Sequence, residues 1–128
     1  MIFVDTRSPK PLYEQIKESV RTQVLCGVLR VDEKLPSVRE LAAETAINPN
    51  TIQKAYSMLE RNGIIVSVKG KGSFVSEDRE KIRHDRIVSI DKSLKDLVRQ
   101  AALIGYPSAE FIEKTQQYFT DGKGDSND

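Results

Sequence analysis

Leu12, Ile16, Val20 and Val24 recur at every fourth position, which places four aliphatic side chains along one face of a helix. Pro11 suits the first turn of that helix, where its missing N–H would be unpaired anyway, and Gly27 offers a stop. A first helix is therefore expected over about residues 11–26. After the connection from Val28 to Pro36 comes Ser37-Val38-Arg39-Glu40. This is a capping box: the serine hydroxyl accepts from the N–H of Glu40, and the Glu40 carboxylate reaches back to the N–H of Ser37. Val38, Leu41 and Ala42 give a short second helix, about residues 38–45, its inward face. Asn48-Pro49 sets an N-cap followed by proline at the favoured next position. Ile52, Ala55, Tyr56 and Leu59 repeat behind it and Asn62-Gly63 ends the run, so a third helix is expected over about 49–61. Only Thr45, Ala46 and Ile47 separate the second and third helices. A short helix, a sharp turn and a longer capped helix make a helix-turn-helix pattern.

Beyond Gly63 the period becomes that of a strand. Ile64-Ile65-Val66-Ser67-Val68 is rich in β-branched residues. Lys69-Gly70-Lys71-Gly72 reads as a turn and Ser73-Phe74-Val75 as the return strand. A hairpin directly after a candidate recognition helix is a wing. Residues 76–85 are mostly charged and read as a linker or a solvated helix start. Ile87, Ile90, Leu94, Leu97, Ala101 and Ile104 then follow at alternating steps of three and four, the a and d positions of a heptad. Gly105-Tyr106-Pro107 breaks that helix. Ser108 is placed to cap a last one, whose apolar positions are Phe111, Ile112, Thr115, Tyr118 and Phe119. From Asp121 the chain is Gly-rich and polar and is expected to fray. The expected fold class is mostly α with a small β-hairpin (α+β). It comprises a winged helix-turn-helix over 1–76, a two-helix segment over 77–120 and a flexible tail over 121–128.

Composition narrows the functional classes. The chain has 128 residues, 38% hydrophobic and 30% charged, which supports a modest core under a well-solvated surface. No apolar run approaches the roughly 18–20 residues of a membrane span, and the start lacks the basic and long apolar regions of a signal peptide. The cytoplasm is the expected location, and no membrane partner is expected. The net charge of +1 points to no partner by itself, because nucleic-acid binding needs local rather than average positive charge. Locally the charge is uneven. Lys34, Arg39, Lys54, Arg61, Lys69 and Lys71 face only Glu40, Glu44 and Glu60 between residues 34 and 75, whereas Asp121, Asp125 and Asp128 outnumber Lys123 at the end. One cysteine, Cys26, and one histidine, His84, cannot build a metal site or a disulfide within one chain. Cys26 is expected to be a small buried core residue and His84 a solvated one. No nucleophile elbow, zinc-binding HExxH or P-loop is present, so neither an enzyme nor a cofactor is expected.

At this point the sequence resembles the GntR family of bacterial regulators, and within it the short YtrA-like branch. The resemblance rests on Pro11-Leu-Tyr-Glu-Gln-Ile16, Leu35-Pro-Ser-Val-Arg-Glu-Leu-Ala42, Asn48-Pro-Asn-Thr-Ile-Gln-Lys-Ala-Tyr56, Leu59-Glu-Arg-Asn-Gly-Ile64 and Gly70-Lys-Gly-Ser-Phe-Val75. Five segments in one order are a specific signal where each alone would be weak. The resemblance implies a winged helix-turn-helix that binds operator DNA as a dimer. One position departs from the family pattern: Asp32 stands in the loop before Lys34 where glycine is usual. Asp tolerates a left-handed backbone better than most residues. The 53 residues after Val75 are too few to enclose a metabolite pocket with its own core, so a small-molecule effector is not indicated. The tail looks like the dimerisation element of the short branch.

The expected contacts follow. The N-terminal part of the third helix enters the major groove with Asn48, Asn50, Thr51, Gln53 and Lys54 on its exposed side. Asn and Gln can pair with adenine, and Thr can bond a base or touch a thymine methyl. Asn48 doubles as a cap. The resemblance implies a DNA contact at Arg39, whose charge suits phosphate or guanine. Ser37 offers a backbone N–H at a helix N-terminus. Lys69, Gly70, Lys71 and Gly72 form a tip able to approach the sugar-phosphate backbone closely. Tyr56 and Phe74 are assigned to the core. Ile87, Ile90, Leu94, Leu97, Ala101, Ile104 and Phe111 are assigned to dimerisation, although their seam could also pack against the same chain's first helix. The partners expected are duplex operator DNA and a second copy. The alternative is a winged-helix module that meets an acidic protein surface instead of DNA.

Overall fold

The computed structural model describes residue 2 and residues 4–126. The element order is α1 (Leu12–Leu25), α2 (Val38–Thr45), α3 (Pro49–Arg61), β1 (Ile65–Val68), β2 (Gly72–Val75), α4 (Arg79–Leu103) and α5 (Ser108–Ser126). The chain divides into two compact units, residues 1–86 and 87–128.

The first unit is the winged helix-turn-helix. Ile16, Val20 and Val24 of α1 are buried, with Leu12 half-buried at the end of the stripe. They pack with Leu41 of α2 and with Ile52, Ala55, Tyr56 and Leu59 of α3. The turn between α2 and α3 closes at Ala46, a left-handed residue with φ 59°. α3 ends when the Gly63 N–H reaches the Glu60 carbonyl and the Ile64 N–H reaches the Leu59 carbonyl. Leu59 and Ile64 are both buried, so this Schellman ending ties the helix stop to the core. Ile64 thus belongs to the helix ending, and the strand begins one residue later.

β1 and β2 pair antiparallel with Ile65 opposite Val75 and Val68 opposite Gly72. A feature not visible in the sequence strengthens this hairpin. Lys34 bridges Phe74, the Leu35 N–H donates to the Ser73 carbonyl at 2.9 Å, and the Val75 N–H donates to the Glu33 carbonyl at 2.9 Å. The connection after α1 is therefore tied to β2 by a single bridge and the backbone bonds that flank it. Asp32 lies in this connection with φ 63° and donates its N–H to the Val75 carbonyl at 3.0 Å. The left-handed residue expected at this loop is present, in aspartate.

Several expectations are corrected. Cys26 is exposed, not buried, because it is the C-cap residue of α1 and lies off the Leu12–Val24 stripe. Phe74 is only half-buried and stands outside the core cluster, since β2 points it to the side of Val66 and Lys34. Of the two readings of the segment after Ser76 the helix start holds and the linker does not: α4 starts at Arg79, with Ile82 buried in the first unit's core rather than solvated, and the Arg79 guanidinium donates to the Leu25 carbonyl at the end of α1. The first unit accordingly extends to residue 86 rather than 76.

The second unit contains the rest of α4, a short turn and α5. Here α4 ends at Leu103, and the Gly105 N–H bonds the Ala102 carbonyl while the Tyr106 N–H bonds the Ala101 carbonyl. Ile104 therefore stands in the turn and not on the helix. Ser108 is the first helical residue of α5 rather than its cap; the Phe111 N–H bonds the carbonyl of Pro107. α5 continues through Ser126 in place of a frayed tail from residue 121, and residues 127–128 of that tail lie outside the described residues. Among the described residues no helix is long and apolar enough to cross a membrane.

Candidate nucleic-acid interface

Ser37 stands at the N-terminus of α2 in extended backbone, and its Oγ accepts from the Glu40 N–H at 3.0 Å. The forward half of the expected capping box is thus made; among the described residues the Glu40 carboxylate makes no return bond to Ser37. Asn48 caps α3 by accepting from the Asn50 N–H at 2.8 Å, with Pro49 at the first helical position. These two caps fix where each helix begins, and so which residues face outward.

α2, α3 and the wing enclose an open groove of about 480 Å³. Of the residues singled out from sequence, Ser37, Gln53, Lys69, Gly70, Lys71 and Gly72 line it. Arg39, Asn48, Asn50, Thr51 and Lys54 do not. Arg39 is exposed on the first turn of α2 and forms no ion pair among the described residues. Asn48 and Asn50 are exposed at the start of α3, whereas Thr51 is half-buried. Gln53 donates its Nε2 to Ser57 Oγ at 3.2 Å, an i,i+4 pair that leaves its carbonyl oxygen and second N–H to face outward. Lys54 carries its ammonium over the ring of Tyr13, 3.9 Å from the centroid. The wing tip turns where the Lys71 N–H bonds the Val68 carbonyl at 2.9 Å with Gly70 at φ 79°, a conformation that costs a side-chain-bearing residue.

One cation of the groove escaped the sequence reading: Lys34, brought beside Gly72 by its bridge to Phe74. Its only signal was its charge, because a pairing forty positions away has no local signature. Outside the groove lining, Ser57 holds Gln53 from i+4, and that spacing could have found it.

The groove also has acids, Glu40 and Glu60. Behind it the Tyr56 hydroxyl donates to the Pro36 carbonyl at 2.6 Å. Burial, then the negative charges of Glu40 and Glu44, push the phenol up to about 12. It remains a neutral donor across the ordinary pH range, and it locks α3 to the entry of α2. No group of three or more His, Cys, Asp or Glu among the described residues could hold a metal ion.

The dimerisation residues chosen from sequence fare differently from one another. Leu94, Ala101 and Phe111 line a second, apolar groove of about 450 Å³ between α4 and α5, together with Val98, Ile112 and Phe119. Phe111 meets Tyr106 edge-on at 5.5 Å. Ile87, Ile90, Leu97 and Ile104 lie outside that groove and are exposed.

Comparison with known proteins agrees with this geometry. The family described as "Bacterial regulatory proteins, gntR family" matches residues 12–75, which spans the helix-turn-helix and the wing. The HTH-type transcriptional repressor YtrA of Bacillus subtilis is 38% identical over 125 residues, 97% of this chain and 96% of that protein. A crystal structure described as a transcriptional antiterminator from Listeria monocytogenes EGD-e superposes with a TM-score of 0.77 at 35% identity, covering 94% of this chain and 91% of that one. The AraR DBD, solved in complex with operator ORX1, superposes with a TM-score of 0.51 at 33% identity, covering 58% of this chain and 92% of its own. The chain belongs to the GntR family of bacterial regulatory proteins and is a DNA-binding transcription regulator rather than an enzyme.

Proposed function

We propose that the protein is a cytoplasmic repressor that occupies a two-fold-related operator as a homodimer and blocks transcription by occlusion. The observation that carries the DNA side is the convergence of the α2 N-terminus, α3 and the Lys-Gly-Lys-Gly wing tip on one groove. In this reading Asn50 and Gln53 meet base edges, with Thr51 reaching a base or phosphate from its half-buried place. Arg39, Lys54, Lys69 and Lys71 meet phosphates, or guanine in the case of Arg39. Asn48 and Ser37 hold the helix starts against the backbone, while Gly70 and Gly72 let the wing approach it. The dimer side is supported by the second unit, where no described residue is buried although it is rich in large apolar side chains. Ile87, Ile90, Leu97 and Ile104 would meet a second copy, with Leu94, Ala101 and Phe111 shaping the surface it meets. The relative named as a repressor supports the sign of regulation.

Selection of bound fragments from a random DNA pool tests the reading as a whole. The expected product is an inverted repeat with half-site centres about 34 Å apart, one helical turn. A single asymmetric half-site would overturn the dimer, and the absence of any enriched sequence would overturn specific recognition. In the same assay Arg39→Ala and Gln53→Ala should each weaken the selected site, Gln53→Ala also relaxing preference at one base pair by about 1–3 kcal/mol. Undiminished binding by folded variants would remove these residues from the interface.

A further inference from the structure

Tyr13 lies in the first turn of α1, half-buried against the core, and belongs to no DNA-facing set described so far. Its ring carries the Lys54 ammonium at 3.9 Å. Lys54 is exposed. It lies one turn beyond Asn50 and on the flank of α3 that does not line the wing groove. A lysine side chain is flexible, and ordering it at the moment of binding opposes the contact it makes. A lysine already seated on a ring has lost that freedom on folding. The ring covers one side of the ammonium through its negative face, which leaves donors on the other side directed to solvent. No carboxylate forms an ion pair with Lys54 among the described residues.

We propose that Tyr13 is a positioning residue for DNA binding: its ring holds Lys54 ready for a backbone phosphate on the α1 flank of the recognition helix. The grip on the duplex then has two sides, the wing lysines on one flank of α3 and the Tyr13-supported Lys54 on the other. The proposal rests on the DNA-binding reading, but not on any particular operator, because a lysine–phosphate contact is independent of sequence.

The test is a double-mutant cycle on the full chain, with binding to a short random-sequence duplex measured over a range of salt. Lys54→Gln should lower the steepness of log affinity against log salt by about 0.9, the share of one phosphate. Tyr13→Leu should weaken binding about two- to fivefold, the worth of an exposed cation–π contact. Tyr13→Phe, which keeps the ring and removes the hydroxyl, should restore wild-type affinity. On the Lys54→Gln background Tyr13→Leu should have no further effect. Equal weakening by Tyr13→Leu on both backgrounds, failure of Tyr13→Phe to restore binding, or an unchanged salt slope in Lys54→Gln would each overturn the proposal. Thermal unfolding monitors the fold, and Tyr13→Met replaces Tyr13→Leu in the cycle if the leucine variant melts early. Failure of the wild-type chain to bind the duplex would instead count against the DNA-binding reading itself.

Discussion

The two units carry equally regular apolar patterns and use them in opposite ways. In residues 1–86 the pattern closes on itself: Ile16, Val20, Ile52, Leu59, Ile65, Val75 and Ile82 are essentially removed from solvent. In residues 87–128 no described residue is buried, and Leu97 remains 54% exposed and Phe119 72% exposed. Isolated apolar residues on a surface are ordinary, but a contiguous set of this kind marks an interaction face. Periodicity therefore tells which side chains need to leave water. It does not tell whether the cover comes from the same chain or from another.

The sharpest way to break this contrast is to remove one side chain from each unit. Ile52→Ala, at a fully buried site, should cost about 2–5 kcal/mol of unfolding free energy in urea titration, with no dependence on protein concentration beyond that of the wild type. Ile90→Asp combined with Leu97→Asp should leave the helices intact by circular dichroism, since both sites are exposed. In sedimentation velocity it should weaken self-association about a hundredfold or more, because charge is placed in an apolar interface. If the aspartate variant instead unfolds at every concentration, the tail is packed in cis and the contrast fails.

Smaller effects sharpen the picture within the first unit. Tyr56→Phe removes the hydroxyl bond to the Pro36 carbonyl and should cost about 1 kcal/mol at neutral pH. The folded phenol sits at about 12, above its usual value of 10.0. The protonated form is thus favoured by folding, and its contribution is complete below pH 10 and disappears as pH rises from 10 through 12. The wild type should lose its advantage over Tyr56→Phe within that window, a difference measurement that cancels the titration of the lysines. The smallest expected effect is a gain. Ala46 holds φ 59° in the helix-turn-helix turn, so Ala46→Gly should raise stability by about 0.5–1 kcal/mol in thermal unfolding. A loss would show that the turn tolerates the methyl without strain.

What was legible in the sequence was what is encoded locally. Ser37 and Asn48 mark the starts of α2 and α3 through bonds that span two or three residues, and Gly63 marks the end of α3 in the same way. The Lys69–Gly72 tip was legible because a tight hairpin turn needs glycine. What stayed hidden depends on distant contacts. Ile82 sits in a charged stretch, Glu80-Lys81-Ile82-Arg83, and only the packing of α4 onto the first unit reveals it as core. The bond from Arg79 to Leu25 spans 54 positions. Within the candidate interface, the outward placement of Asn50, Gln53 and Lys54 followed from the helical wheel. The engagement of Lys54 by Tyr13 did not, because it joins two helices.

The Lys34–Phe74 bridge bears on how such a regulator can change over generations. A lone two-stranded hairpin is barely stable in water, so a wing that depended on its own turn would tie every change at the tip to a loss of shape. Here β2 is fastened by backbone bonds to residues 32–35, while Lys69 and Lys71 are exposed at the tip. Inheritance of the scaffold is thereby uncoupled from inheritance of the tip, whose side chains are free to change without endangering the fold that presents them.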